Sequence, residues 1–344
     1  MENKKRVHYY DGLRVICAIF IVLIHSISIR AYDFSNLNDS VWLFMNSTNI
    51  FTRVGVLTFF MISGALLLNS KKNDSIEYVL RHRVLGLVVK LAIFSVIYAF
   101  IYGKVLDIAD YSVVSFIKDF LSNGVEIKFW FLYVLIGLYL STPLLRVLVE
   151  KADRKYLWYL VILSLVATYL KYDVDTILNI NSKMDIPIAS SFIGVYVLGY
   201  LLSTMTLSKK SRYLLYGIAI ASGLFRVLIT NDLSIASNSL NTEWLSEKTF
   251  NILISSAALF VFAKESKGFD TFSRVVLIKE SAKLTLGIYL LHPVIIKYMV
   301  TTVGWKTADM QIYHVLLIFI IALLGSALIT LILSKIKYLN KLVS

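Results

Sequence analysis

Asp11-Gly12-Leu13-Arg14-Val15-Ile16-Cys17-Ala18-Ile19-Phe20-Ile21-Val22-Leu23-Ile24-His25-Ser26 sets one arginine and one histidine in an otherwise apolar run, with ten uncharged residues between them. On an α-helix, eleven steps of about 100° return to within ~20° of the start and rise about 16 Å. Arg14 and His25 then share one face, separated by about half of a ~30 Å hydrocarbon core. An ionisable side chain at that depth is costly and marks a cavity, a partner or a function.

The rest of the chain agrees with a membrane setting. Of its 344 residues 58% are hydrophobic and 17% charged, with 15 glycines and 3 prolines, and the mean hydropathy is +0.72. A soluble chain carries more charge and more turn residues. Cys17 is the single cysteine, which leaves no disulfide framework or cysteine-based metal site. No small-residue cleavage site follows the opening run, so it reads as an uncleaved first span.

Ten runs are long enough to cross a bilayer: about 13–29, 51–69, 84–103, 129–148, 156–172, 188–205, 213–230, 249–263, 284–303 and 312–334. The expected fold is all-α, a polytopic membrane protein with about ten transmembrane helices in one domain over residues 1–344. The net charge of +13 would suggest nucleic acid in a soluble protein. Here its distribution sets orientation. The N-terminus, every second loop and the C-terminus hold 22 Lys and Arg, among them Lys4, Lys5, Arg6, Arg146 and Lys264. The other five loops hold 8: Arg30, Lys104, Lys118, Lys128, Lys171, Lys183, Lys248 and Lys306. Positive loops stay in the cytoplasm, so both termini are inside. An odd number of spans would destroy this alternation. Arg14, Arg53, Lys90, Arg226 and Lys297 fall within or at the edges of spans. Lys90 and Lys297 suit snorkelling; Arg53 and Arg226 either snorkel or line an outward cavity.

His25 is the leading chemical candidate, because a neutral imidazole exchanges a proton near pH 7. A histidine bonded across a helix interface is the plainer alternative. Arg14 is permanently cationic and suits a phosphate-bearing ligand, or else anchors the helix at the interface. Arg81-His82-Arg83, before the third span, reads as positive-inside charge or as a phosphate clamp beside Arg14. On the outer side Glu126, Lys128 and Trp130 suit an aromatic-belt anchor or a sugar-binding cleft. His292-Pro293 lies inside the ninth span, where proline frees a carbonyl and lets a helix line a cavity. No nucleotide loop, HExxH or GxSxG elbow occurs. His8, His82 and His314 lack carboxylate or cysteine neighbours at ligand spacing, and no metal site is expected.

Arg14 with ten residues to His25 resembles the Arg-x10-His signature of the acyltransferase-3 family of membrane acyltransferases. Four further segments resemble it in order: Phe59-Phe60-Met61-Ile62-Ser63-Gly64-Ala65-Leu66-Leu67, Arg81-His82-Arg83, Phe129-Trp130-Phe131-Leu132-Tyr133, and Leu286-Gly287-Ile288-Tyr289-Leu290-Leu291-His292-Pro293. The resemblance implies a bacterial plasma-membrane enzyme. It would move an acyl group, most often acetyl, from cytoplasmic acyl-coenzyme A to a carbohydrate hydroxyl at the outer face. His25 and Arg14 match the family's essential pair, and Arg81 and Arg83 its basic residues after span two. Two departures stand out: Leu85-Gly86-Leu87 replaces the proline that often follows those arginines, and no fused SGNH-type esterase domain follows span ten. The chain is thus similar to the stand-alone branch.

On this reading coenzyme A binds with its phosphates on Arg14, Arg81 and Arg83, and its thioester comes up the face of span one to His25. His25 acts as general base, or in a variant carries the acyl group. Ser63-Gly64-Ala65 brings span two close against span one, and Glu126, Trp130 and His292 serve the acceptor. The partners are the lipid bilayer, acyl-coenzyme A as co-substrate and a carbohydrate or glycolipid acceptor, with no permanently bound cofactor and no nucleic acid. The rival function is a transporter or flippase for a polysaccharide or lipid-linked sugar, which also uses intramembrane arginine and histidine.

Overall fold

The computed structural model describes residues 6–31, 39–182, 192–302 and 311–343. Lys4, Lys5, Lys183, Lys306, the start of the sixth run and the end of the ninth lie outside the described residues, as does the Arg30 side chain.

Helices account for every crossing, as lipid demands of a backbone that must satisfy its own hydrogen bonds. In chain order they are α1 Tyr9–Ala31, α2 Asp39–Thr52, α3 Val54–Leu67, α4 Ile76–Val79, α5 Leu85–Phe100, α6 Val113–Ser122, α7 Trp130–Lys151, α8 Arg154–Ser164, α9 Lys171–Leu178 and α10 Ile193–Thr204. Then follow α11 Lys209–Ser237, α12 Phe250–Glu265, α13 Lys267–Arg274, α14 Val276–Thr302, α15 Ile312–Lys335 and α16 Asn340–Val343. Wide π turns at Leu80–Val84 and Leu165–Leu170 join α4 to α5 and α8 to α9 into single rods.

Among the described residues nine helical stretches are long and apolar enough to span. The sixth run is the twelve-residue α10, about 18 Å long. It still crosses. Phe192, just before it, lines a cavity together with Trp130 and Lys248, while Ser203 and Thr204 line one with Arg6, Arg83 and Lys264. Those are the two sides that the charge bias separates. A short rod suffices because α10 is enclosed by protein, with Val195, Tyr196, Val197 and Leu201 fully buried.

The opening helix is the hub: α1 packs against α2, α3, α12, α13, α14 and α15. Ser63-Gly64-Ala65 takes a different partner from the one expected. A Cβ added at Gly64 would lie 1.8 Å from the Tyr196 carbonyl oxygen, and one at Gly199 would lie 2.1 Å from that of Met61. At Gly64 the close crossing is therefore between α3 and α10, whereas α3 meets α1 at Gly55, where an added Cβ would lie 3.1 Å from the Cys17 carbonyl oxygen. Two small residues on facing helices permit backbone contact, and the second of them lies 135 residues away.

The remaining intramembrane cations also find their places. Arg53 pairs with Glu247 at 2.9 Å and donates to the Asn49 side chain at 2.8 Å. Arg226, 1% exposed, donates to the Trp244 carbonyl at 2.9 Å. Neither snorkels. Arg146, counted above as loop charge, is a buried clamp: it holds Asp74 at 2.6 Å and the Leu68 carbonyl at 2.6 Å.

Candidate active site

On the basic side two cavities meet. One, of about 870 Å³, is bounded by Arg6, Tyr10, Asp11, Arg14 and Arg83. The other, of about 620 Å³, carries Arg14, Arg83, Lys90 and Lys283 at its base and reaches Ile21, Phe131 and Tyr289. Arg14, Ser63, Arg83 and Tyr139 line both, so the two form one cleft.

The cations differ in what they have left to offer. Asp11 accepts from Arg6 at 2.7 Å and lies 3.8 Å from the Arg14 guanidinium, leaving most of the Arg14 fork unspent. Arg83 has a buried Nε with no partner. Lys264 is committed, donating to the carbonyls of Leu202 and Met205 at the end of α10. Arg81 stands apart: its side chain is 72% exposed and pairs with Glu77 at 3.2 Å. It does not line the cleft. The reason is helical geometry, since residues two apart point to different faces. The sequence clamp thus reduces to Arg14 and Arg83, with Lys90 added. Tyr139 and Tyr289 were missed as lining residues although Tyr289 sits in the Leu286–Pro293 segment; only its cavity-facing side was illegible.

One turn above Ile21 on α1 stands His25, half-buried. Its neighbour is His292, 267 residues later and fully buried. The two imidazoles face each other with centroids 5.3 Å apart and planes 15° apart. His292 Nδ1 lies 2.9 Å from the Ile288 carbonyl oxygen. An oxygen can only accept, so Nδ1 carries the hydrogen and the neutral ring leaves Nε2 bare. That Nε2 is buried without a partner.

Pro293 explains why the helix is open here. Proline brings no N–H to the ladder, and Tyr98 widens the gap: its hydroxyl donates to the Leu290 carbonyl at 2.8 Å and accepts from the Val294 N–H at 3.1 Å. A side chain inserted in this way keeps the freed backbone groups satisfied. One turn before His292, Tyr289 stands 6.1 Å from its ring and 5.3 Å from that of Phe131, and its hydroxyl donates to the Lys128 carbonyl.

The outer side has its own cavity of about 620 Å³, lined by Trp130, Lys171, Tyr172, Asp175, Glu247 and Lys248 among others. An indole face among groups that donate and accept suits a polyhydroxylated ligand. Trp130 lines the cavity. Glu126 is not among its lining residues: it is 6% exposed and accepts from the Tyr102 hydroxyl, the Lys128 N–H at 3.0 Å and the Lys128 ammonium at 3.1 Å. Burial by itself would raise its carboxyl, but Lys128 and the Tyr102 hydroxyl outweigh it and hold it below the usual glutamate range. Glu126 secures the turn into α7. Aromatic contacts of Trp130 with Phe60, and of Phe60 with Phe131, link this cavity's wall to Tyr289 and the histidines.

Residues 7–334 match a family model described as an acyltransferase domain. No curated protein and no solved structure matches the chain.

Proposed function

The chain belongs to the acyltransferase-3 family, and on that premise we propose that it moves an acyl group, acetyl in the first instance, from cytoplasmic acyl-coenzyme A to a hydroxyl of a carbohydrate at the outer face of a bacterial plasma membrane. It is a multi-pass membrane acyltransferase; donor, acceptor and membrane are the proposed part. One observation carries the reading: the cleft that begins among Arg6, Arg14 and Arg83 ends at Ile21 and Tyr289, one helical turn from His25 and His292.

The free donors of Arg14 and Arg83 suit phosphate oxygens, which a guanidinium fork binds bidentately. Arg81, paired with Glu77 outside the cleft, takes no part. The pantetheine arm follows α1 between Ile21 and Phe131, a mostly apolar passage, and brings the thioester to His25. The acceptor enters beside Trp130 with its hydroxyl toward His25. His25 takes the hydroxyl proton, the oxygen attacks the thioester carbonyl, the C–S bond breaks and the proton passes to the departing sulfur. The products are the ester and free coenzyme A. His292 lies beside this path.

The test uses full-length protein in nanodiscs, labelled acetyl-coenzyme A, and membranes from cells lacking the chain as acceptor. Wild-type protein releases free coenzyme A and transfers label to a glycan; His25→Ala does neither while keeping its melting temperature. A wild-type protein that moves a sugar across the bilayer and releases no coenzyme A is a transporter, and this reading falls.

A further inference from the structure

We infer that His292 is the positioning residue for His25: its bare Nε2 accepts a hydrogen bond from the His25 ring, fixes the tautomer of that ring, and so leaves the other His25 nitrogen to take the acceptor's proton. The inference rests on the acyl-transfer reading and deepens it.

Three observations carry it. The Ile288 carbonyl fixes the hydrogen of His292 on Nδ1, so Nε2 points a lone pair away from its own helix. Nε2 is closed to solvent and unpaired, which is an expensive condition for a ring nitrogen inside a protein. No incoming hydroxyl reaches it in this arrangement. Of the two polar rings beside it, Tyr289 has already committed its hydroxyl to the Lys128 carbonyl. His25 is the other, at 5.3 Å between centroids. Two imidazoles joined by an N–H···N bond have centroids about 5.1 Å apart, from a bond of about 2.9 Å and a ring radius of roughly 1.1 Å at each end. The observed spacing is already there. The planes lie 15° apart in a stacked arrangement, so the His25 side chain must swing from the face of His292 to its Nε2 edge to close the bond.

The relay then reads Ile288 carbonyl, His292, His25, acceptor hydroxyl. With one nitrogen of His25 donating to His292, the other keeps its lone pair for the acceptor. This is the logic by which a base is held in its working tautomer by a third group. The orienting group is usually a carboxylate. Inside a bilayer a carboxylate is costly, and a neutral imidazole locked by a backbone carbonyl supplies the same acceptor without a charge. His292 keeps its Nδ1 hydrogen throughout. The proton that moves is the acceptor's, which goes to His25 and then to the thiolate of coenzyme A. Pro293 and Tyr98 belong to the same device, since they hold open the turn that carries His292.

The experiment compares wild-type, His292→Phe and His292→Gln proteins in nanodiscs, with labelled acetyl-coenzyme A and membranes of cells lacking the chain. Phenylalanine fills the space and removes the acceptor; glutamine restores an acceptor near the Nε2 position. His292→Phe should lower kcat by roughly a hundredfold or more, with KM for acetyl-coenzyme A within about twofold, and His292→Gln should recover at least about tenfold of that loss. A His292→Phe protein within about threefold of wild type overturns the inference. So do Phe and Gln variants equally inactive at unchanged melting temperature. The chain has five histidines, so nitrogen spectra of histidine-labelled wild-type protein give a reading that needs no active variant: His25 should hold one tautomer, and a His25 that samples both overturns the inference. A wild-type protein that transfers nothing refutes acyl transfer itself, which is a separable result.

Discussion

Replacing Gly64 by alanine probes the α3–α10 crossing directly. The added Cβ would stand 1.8 Å from the Tyr196 carbonyl oxygen, 2.6 Å from its carbon and 3.1 Å from its Cα. All three are backbone atoms, so no side chain can swing away. A carbon and a carbonyl oxygen settle at about 3.3 Å, which requires the helices to part by roughly 1.5 Å. A gap of even 0.5–1 Å forfeits about a quarter to a half of each contact across it, and this crossing packs Phe60, Met61 and Ala65 in the same core as Val195, Tyr196 and Leu198. The loss is therefore at the upper end of overpacking costs, about 3 kcal/mol or more, or about 5 °C or more in melting temperature for a chain of this size. Ser63, next in sequence, lines both parts of the basic cleft, so affinity for acyl-coenzyme A should fall as well. Gly217→Ala is the control, since an added Cβ there meets nothing within 4 Å and alanine favours the helix by about 1 kcal/mol. Melting curves followed by size-exclusion chromatography in detergent measure both. The double variant Gly64→Ala with Gly199→Ala should cost clearly less than the sum, because one separation relieves both clashes. A Gly64→Ala protein melting within about 1 °C of wild type would refute the close crossing.

Three further predictions follow from the polar contacts. Arg146→Ala leaves the buried Leu68 carbonyl and Asp74 without their partner; because the Asp74 side chain is 39% exposed, the expected loss is about 2–3 kcal/mol, below that of a fully buried pair, read by thermal denaturation. Tyr98→Phe removes the hydroxyl bridging Leu290 and Val294; about 2 kcal/mol should be lost, with acyl transfer falling alongside because His292 sits within that turn, and unchanged melting and rate would contradict the bridging role. Glu126 is held below the ordinary glutamate range, burial being outweighed by Lys128 and Tyr102. Its stabilising contribution is therefore complete above the unfolded value of about 4.3 and lost as pH falls through the lower folded value. A Glu126→Gln protein should melt lower than wild type at pH 7, and the difference should shrink below about pH 4; a constant difference would count against it.

How much could be read before the fold was known differs from residue to residue. Arg14 and His25 share a face because helical geometry is local, and an eleven-residue spacing is enough to align them. The long spans are legible because each must bury a length of apolar chain that the bilayer sets; α10, at twelve residues, falls short of it. Even the division between Arg81 and Arg83 was present in principle, since two residues apart on a helix never share a face. By contrast, nothing near Gly64 indicates Tyr196 as its neighbour, and nothing near Trp130 separates it from Glu126, four residues before it. Arg146 looked like loop charge because a buried clamp and a surface cation have the same one-letter signature.

The sequence by itself determined that this is an all-helical membrane protein, which way its basic loops lie, and which two ionisable residues share the first helix. Only the tertiary structure decided that His292 stands beside His25, that α3 crosses α10, and which arginines open onto one cleft. The physical reason is that hydropathy and helical period are properties of a segment, whereas in lipid every helix is apolar on its outside and hydrophobicity does not choose partners. Partner choice falls to shape and to a few hydrogen bonds, and those are defined only when two helices distant in sequence are brought together.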